Sequence, residues 1–211
     1  FTFDRDLARR YILSIAAEFD RPAINASVGI RRDKSLDLTR SQTGQVADVE
    51  RALDDLEDGL GQRLDGHVIE VKYQEDVPEV LTTSAEEAIT NIQRMVSQPI
   101  WLMHQNRGWV LESAQLITAI VTEAHGGHIE PRFEFTRFND LFRTIEQTLT
   151  AEARRGVFEF DEQADRVVAF QPGNRGQRID RTELEKMIHS AAHTTDARRV
   201  EIPVIVLNKD F

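Results

Sequence analysis

Gly44-Gln45-Val46-Ala47-Asp48 and Gly176-Gln177-Arg178-Ile179-Asp180 carry one pattern twice, 132 residues apart. In each, a glycine opens a turn and an aspartate precedes an apolar helical stripe, where its carboxylate can cap free N–H groups. The first stripe is Val49, Leu53, Leu56 and Leu60; the second is Leu184, Ile188 and Ala192. Leu56 matches Ile188 and Leu60 matches Ala192, counted from the two aspartates. A strand closes each copy. Ile69, Val71 and Tyr73 alternate with Glu70 and Lys72 in the first, and Val200, Ile202, Val204 and Val206 do the same work in the second.

Outward from these motifs the order of elements also repeats. Phe3, Leu7, Tyr11, Ile15 and Phe19 predict a helix capped by Asp4 and ended before Arg21-Pro22. Residues 25–30 and 35–38 then read as a hairpin. In the second copy Phe138, Leu141, Phe142, Ile145 and Leu149 predict a helix capped at Thr136, followed by a hairpin of residues 157–160 and 166–170. The repeated α-β-β-α-β order predicts an internal duplication. Between the copies, Ser84 and Glu87 form a capping box ahead of Ala88, Ile92, Met95 and Val96. Residues 100–103 and 109–111 flank Gln105-Asn106-Arg107-Gly108 as a tight hairpin. From Ser113 a helix carrying Leu116, Ile117, Ile120 and Val121 is expected to run to Gly126-Gly127. The fold class is α+β: two related small units, 1–82 and 83–211, each a short antiparallel sheet (hairpin plus closing strand) packed by helices. The first lacks the front part that the second owns.

Composition narrows the function. The 211 residues include no cysteine, 26 basic and 36 acidic side chains, and 40% hydrophobic residues. That length allows one large domain or two small ones at about 150 residues each. The apolar content excludes a disordered chain, and no run approaches the roughly 18 apolar residues of a membrane span. A formal charge of −10, with bases interspersed among acids, argues against nucleic acid as a partner. Thiol nucleophiles and cysteine-ligated zinc are excluded. The first residue is Phe1, which predicts a processed or excised chain.

With these residues in place, the chain resembles the peptidoglycan-binding repeat family also called YoaR-like. The resemblance rests on Arg21-Pro22-Ala23-Ile24-Asn25-Ala26, Gly44-Gln45 with Asp48, and Val77-Pro78-Glu79-Val80 in the first copy. In the second it rests on residues 172–180, Leu184 and Val200-Glu201-Ile202-Pro203-Val204. The copies depart at Val46-Ala47 against Arg178-Ile179. The resemblance implies tandem repeats ahead of VanW-type or L,D-transpeptidase domains. It further implies a non-catalytic, extracytoplasmic module of a secreted or membrane-anchored envelope protein, with peptidoglycan and neighbouring domains as partners and no cofactor. A spacer or protein-interaction module without wall affinity is the alternative, and a hydrolase with an acidic site comes third.

Each candidate site has a plainer structural reading beside it. Asp48 and Asp180 read as caps before they read as ligands. His125-Gly126-Gly127-His128 could give zinc two imidazoles, but no third ligand accompanies them, and a helix C-terminus explains the glycines better. Asp54, Asp55, Glu57 and Asp58 read as a solvated helix face rather than a general acid–base pair. The loop 173–176 precedes a helix and could hold an anion. One of Trp101 and Trp109 could form a platform for sugar rings, against a reading as core. The candidate ligand-binding residues are therefore Trp101, Trp109, Arg175 and Gln177, on the hairpin and the loop beside it, with no catalytic or metal-binding residue.

Overall fold

In a computed structural model, the described residues are 3–61, 68–149, 157–161, 166–171, 176–194, 196 and 198–207. Asp4 caps α1 (Arg5–Ala16) by accepting the Leu7 N–H at 3.0 Å. Three short strands follow: β1 (Ser27–Ile30), β2 (Leu36–Thr39) and β3 (Gly44–Ala47), then α2 (Val49–Gly61) and β4 (Tyr73–Asp76). Next come α3 (Thr82–Val96), the hairpin β5 (Ile100–His104) and β6 (Arg107–Leu111), and α4 (Ser113–Ala119). The pair β7 (Ile120–His125) and β8 (His128–Phe133) leads through a 3-10 turn at Phe135–Phe138 into α5 (Asn139–Leu149). The chain then runs through β9 (Val157–Asp161), β10 (Arg166–Gln171), β11 (Gly176–Ile179), α6 (Arg181–Ala192), β12 (Arg199–Glu201) and β13 (Val204–Leu207). The class is α+β, with small sheets packed by helices. Two compact units divide the chain: Phe1–Gly29 with Leu36–Ala88 and Glu123–Glu130, and Ile30–Ser35 with Ile89–Thr122 and Pro131–Phe211.

The first unit has a core rich in alanine. Ala16, Ala26, Ala47, Ala52, Leu53, Ala85 and Ala88 are buried. Hydrogen bonds supply much of its definition. Arg21 and Gln45 exchange backbone N–H···O bonds at 2.9 and 2.7 Å, and Ile24 and Gln42 do so at 2.9 Å each way. The Asp76 carboxylate accepts the Ala23 N–H at 2.7 Å, and the Asn25 side-chain oxygen accepts the Val80 N–H at 3.1 Å. The segment 21–26 is thus stitched to β3 on one side and to residues 76–80 on the other. Gly44 belongs to strand β3 rather than to a turn, and a Cβ there would overlap the backbone of Arg21, Pro22 and Ala23. Close approach, not turn conformation, is what requires glycine here.

β3 pairs antiparallel with β4 as Gly44↔Asp76 to Ala47↔Tyr73, and β11 with β13 as Gly176↔Leu207 to Ile179↔Val204. Asp48 accepts the Arg51 N–H at 3.1 Å and Asp180 the Glu183 N–H at 3.1 Å, so both are N-caps. Each aspartate's own N–H reaches the residue before the partner strand: Lys72 at 2.8 Å, Pro203 at 2.9 Å. The helical stripe of α1 forms but stays open, with Tyr11 67% exposed, whereas Phe142, Ile145 and Leu149 of α5 are buried.

Several local expectations change. The helix from Ser113 stops at Ala119, and Ile120–His125 is strand, as its β-branched run prefers. Gly126 and Gly127, at φ 55° and 79°, make the two-residue turn of the β7–β8 hairpin, so the flanking histidines close a hairpin rather than a helix. Ser84 lies inside α3, where its Oγ accepts the Ile129 N–H at 3.1 Å; Ser41 Oγ instead accepts the first N–H of the helix, from Thr82, at 3.0 Å. Thr136 sits within the 3-10 turn, not at a helix cap. Asp180 and Glu183 have the spacing of a second capping box, but Glu183 places its carboxylate on Lys186 at 3.3 Å. The closing strand of the second unit is broken at Pro203. β12 joins β5 in parallel, the one parallel pairing among the described residues, before β13 joins β11.

Candidate binding surface on the tryptophan hairpin

The alternation of β5 sorts its side chains. Ile100, Leu102 and His104 are buried, while Trp101 is 48% exposed and Met103 half-buried. Period two in a strand requires this division when one face meets the core. Trp101 stands opposite Val110 of β6 and Arg199 of β12; Met103 stands opposite Gly108 and Glu201. These residues share the outer face of the three-stranded sheet. A Cβ on Gly108 would come 3.0 Å from Met103 Sδ, so the glycine leaves the thioether its place on that face. Trp109 pairs with Leu102 and lies on the opposite, inner face, half-buried. Of the two tryptophans it is Trp101 that presents its indole to the outer face, in register with Arg199.

Arg199 also lines a cleft of about 600 Å³ with Ser190, His193, Thr194 and Asp196, at the end of α6. Hydroxyls, a carboxylate and a cation thus share this cleft, and Arg199 is its link to the strand register of Trp101. The His193 ring lies 4.8 Å from that of His189. Burial, then His189, Arg94 and Arg198, hold the His193 imidazole below its ordinary range. Between the folded and unfolded proton affinities the unfolded chain binds more protons, so stability rises with pH. The contribution is full above about pH 6.5, the ordinary histidine value, and is lost as pH falls below it. The thermal midpoint is expected to drop as pH falls below about 6.5, modestly because the ring is exposed, and His193→Gln should flatten that stretch. An identical profile in the variant would contradict this.

Gln177 lies elsewhere, in β11. Its Nε2 donates to the Leu149 carbonyl at 2.9 Å and so caps the end of α5. Around it a second cleft of about 420 Å³ is lined by His104, Gln105, Asn106, Arg107 and Thr148. Arg175 falls outside the described residues. The structure brings Gln177 together with the hairpin turn, but not with Trp101. Arg199 and His104 escaped the sequence reading. His104 could have been found from its alternation with Ile100 and Leu102; Arg199 acquires its place only through the parallel pairing. Among the described residues no group of three or more histidine, aspartate or glutamate side chains could hold a metal ion, and no helix is long and apolar enough to cross a membrane.

No curated protein and no solved structure matches the chain. Residues 1–68 match one family model, described as "Putative peptidoglycan binding domain", a stretch that holds both the 21–26 segment and the Gly44–Asp48 motif.

Proposed function

We propose that this chain is a non-catalytic module of the cell envelope that binds peptidoglycan and positions a neighbouring VanW-like or transpeptidase-like domain outside the cytoplasm. The family match over residues 1–68 carries the reading. Residues 83–211 act as a second repeat, YoaR-like as the first; the matching registers of β3–β4 and β11–β13 support this. The contact surface is the outer face holding Trp101, Met103 and Arg199. Sugar rings stack on an indole through their C–H faces, and flanking charged and hydroxyl groups fix the hydroxyls of the glycan.

Titration with soluble muropeptides, followed by calorimetry and, where Trp101 is kept, by tryptophan fluorescence, tests the reading. Trp101→Ala is expected to weaken binding about 3- to 10-fold, the usual range for one aromatic contact. Trp109→Phe should leave both the affinity and the signal from Trp101. Saturable binding unaffected by Trp101→Ala would move the surface elsewhere. A second reading, a protein-interaction module without wall affinity, is favoured by the open stripe of α1, where Leu7, Tyr11 and Ile15 are exposed.

A further inference from the structure

The cleft at the β5–β6 turn stands on the opposite side of the hairpin's alternation from Trp101 and has a different chemistry. Gln105, Asn106 and Gln177 bring three carboxamides to it, and Arg107 brings a guanidinium. Arg107 Nη1 donates to the Thr148 carbonyl at 3.2 Å, which anchors the guanidinium at the rim while the side chain remains exposed. In a chain of charge −10, no carboxylate lines this cleft among the described residues.

His104 forms part of the same wall. Its residue is 9% exposed, and neither ring nitrogen has a hydrogen-bond partner among the described residues. Nδ1 lies 3.8 Å from the Glu201 carboxylate, beyond hydrogen-bond reach. An unpaired buried polar group is costly and calls for a reason. Gln105 adds a second local cost: its φ of 52° puts a non-glycine side chain in the left-handed region.

We propose that this cleft binds the terminal carboxylate of a short peptide. The carboxylate pairs with the Arg107 guanidinium, whose planar donors match its two oxygens. The adjoining peptide group pairs with the carboxamides, which offer donors and acceptors alike, as a peptide bond requires. A phosphate could use only the N–H donors of the three amides and would leave their oxygens unpaired, whereas a peptide group beside its carboxylate uses both, so a peptide end is the better occupant. A small rotation of the His104 ring gives one of its nitrogens a partner when the ligand arrives. On the wall-binding reading, from which the ligand's source is taken, the peptide is a wall stem peptide; the cleft itself stands on its own geometry.

The test is an NMR titration of the full chain with N-acetyl-alanyl-alanine, in D,D and L,L forms, against the same dipeptide ending in a carboxamide. Saturable shifts at the side-chain amides of Gln105, Asn106 and Gln177 and at the His104 ring are expected. The carboxamide form and the Arg107→Gln variant should each bind at least about tenfold more weakly. Equal binding of the carboxamide form, shifts confined to other residues, or equally strong competition by inorganic phosphate would overturn the proposal. Dipeptide binding without retention on sacculi would sink the wall reading alone; retention without dipeptide binding would sink the cleft alone.

Discussion

Arg198→Met is expected to destabilise the second unit by about 3–5 kcal/mol, the loss seen when a buried ion is taken from its partners. Arg198 is 6% exposed. Its guanidinium donates to the carbonyls of Met95 at 2.9 Å, Gln98 at 2.8 Å, Ala192 at 3.1 Å and Thr194 at 3.1 Å. It also meets the Arg94 carbonyl and the Ser97 hydroxyl. Those carbonyls belong to the last turns of α3 and α6 and the residues just beyond, where a helix leaves its C=O groups unpaired. The negative ends of two helix dipoles stand where a carboxylate would otherwise be. Burial pulls the guanidinium below its usual range, yet arginine stays charged, so one side chain satisfies both termini. Methionine fills comparable space and leaves all of these acceptors dry. Lysine, with three donors in a different geometry, should recover only part of the loss. Urea unfolding followed by probes in the second unit measures the effect, and a loss below about 1 kcal/mol would contradict it.

Gly44→Ala is expected to cost about 3 kcal/mol or more, at the upper end for overpacking. The added methyl would overlap backbone atoms of residues 21–23, which cannot swing aside as a side chain does. Moving them breaks the paired bonds of Arg21 with Gln45 and disturbs the Ala23 contact with Asp76. Gly29→Ala is the internal control. Its nearest neighbour would be Asp37 Cβ at 3.8 Å, an ordinary contact, so stability should change little. Comparable losses in both variants would mean that strand propensity, not close approach, sets the effect.

Much of the fold was legible because its signals are local. Asp4, Asp48 and Asp180 announce helix starts through one side-chain bond each, and the β5–β6 hairpin follows from two apolar runs around a polar turn. The failures occurred where distant pairing outweighs local preference. Ser84 mimics a cap, but Ser41 reaches Thr82 from another part of the chain and takes that role. Gly126-Gly127 serves a helix end and a hairpin turn equally well in sequence; the β-branched residues before it decided for the hairpin. Pro203 lacks an N–H, and the strand changes sheets there, which alternation alone does not reveal. Of the candidate site, period two separates Trp101 and Met103 from Ile100 and Leu102, but which face stays open depends on the elements that cover the other. The register of Arg199 with Trp101 was not legible, because only the parallel β12–β5 pairing puts the two together. Arg198 carries no sequence signal, since its partners are mostly backbone carbonyls, three of them about a hundred residues away.

Co-sedimentation of the intact chain with purified peptidoglycan sacculi, beside an acidic protein of similar size, tests the central claim most directly. Wall binding predicts saturable retention above the control that weakens in Trp101→Ala while the variant's unfolding midpoint stays unchanged. Retention no greater than the control's, across the range of salt that screens surface charge, would contradict it.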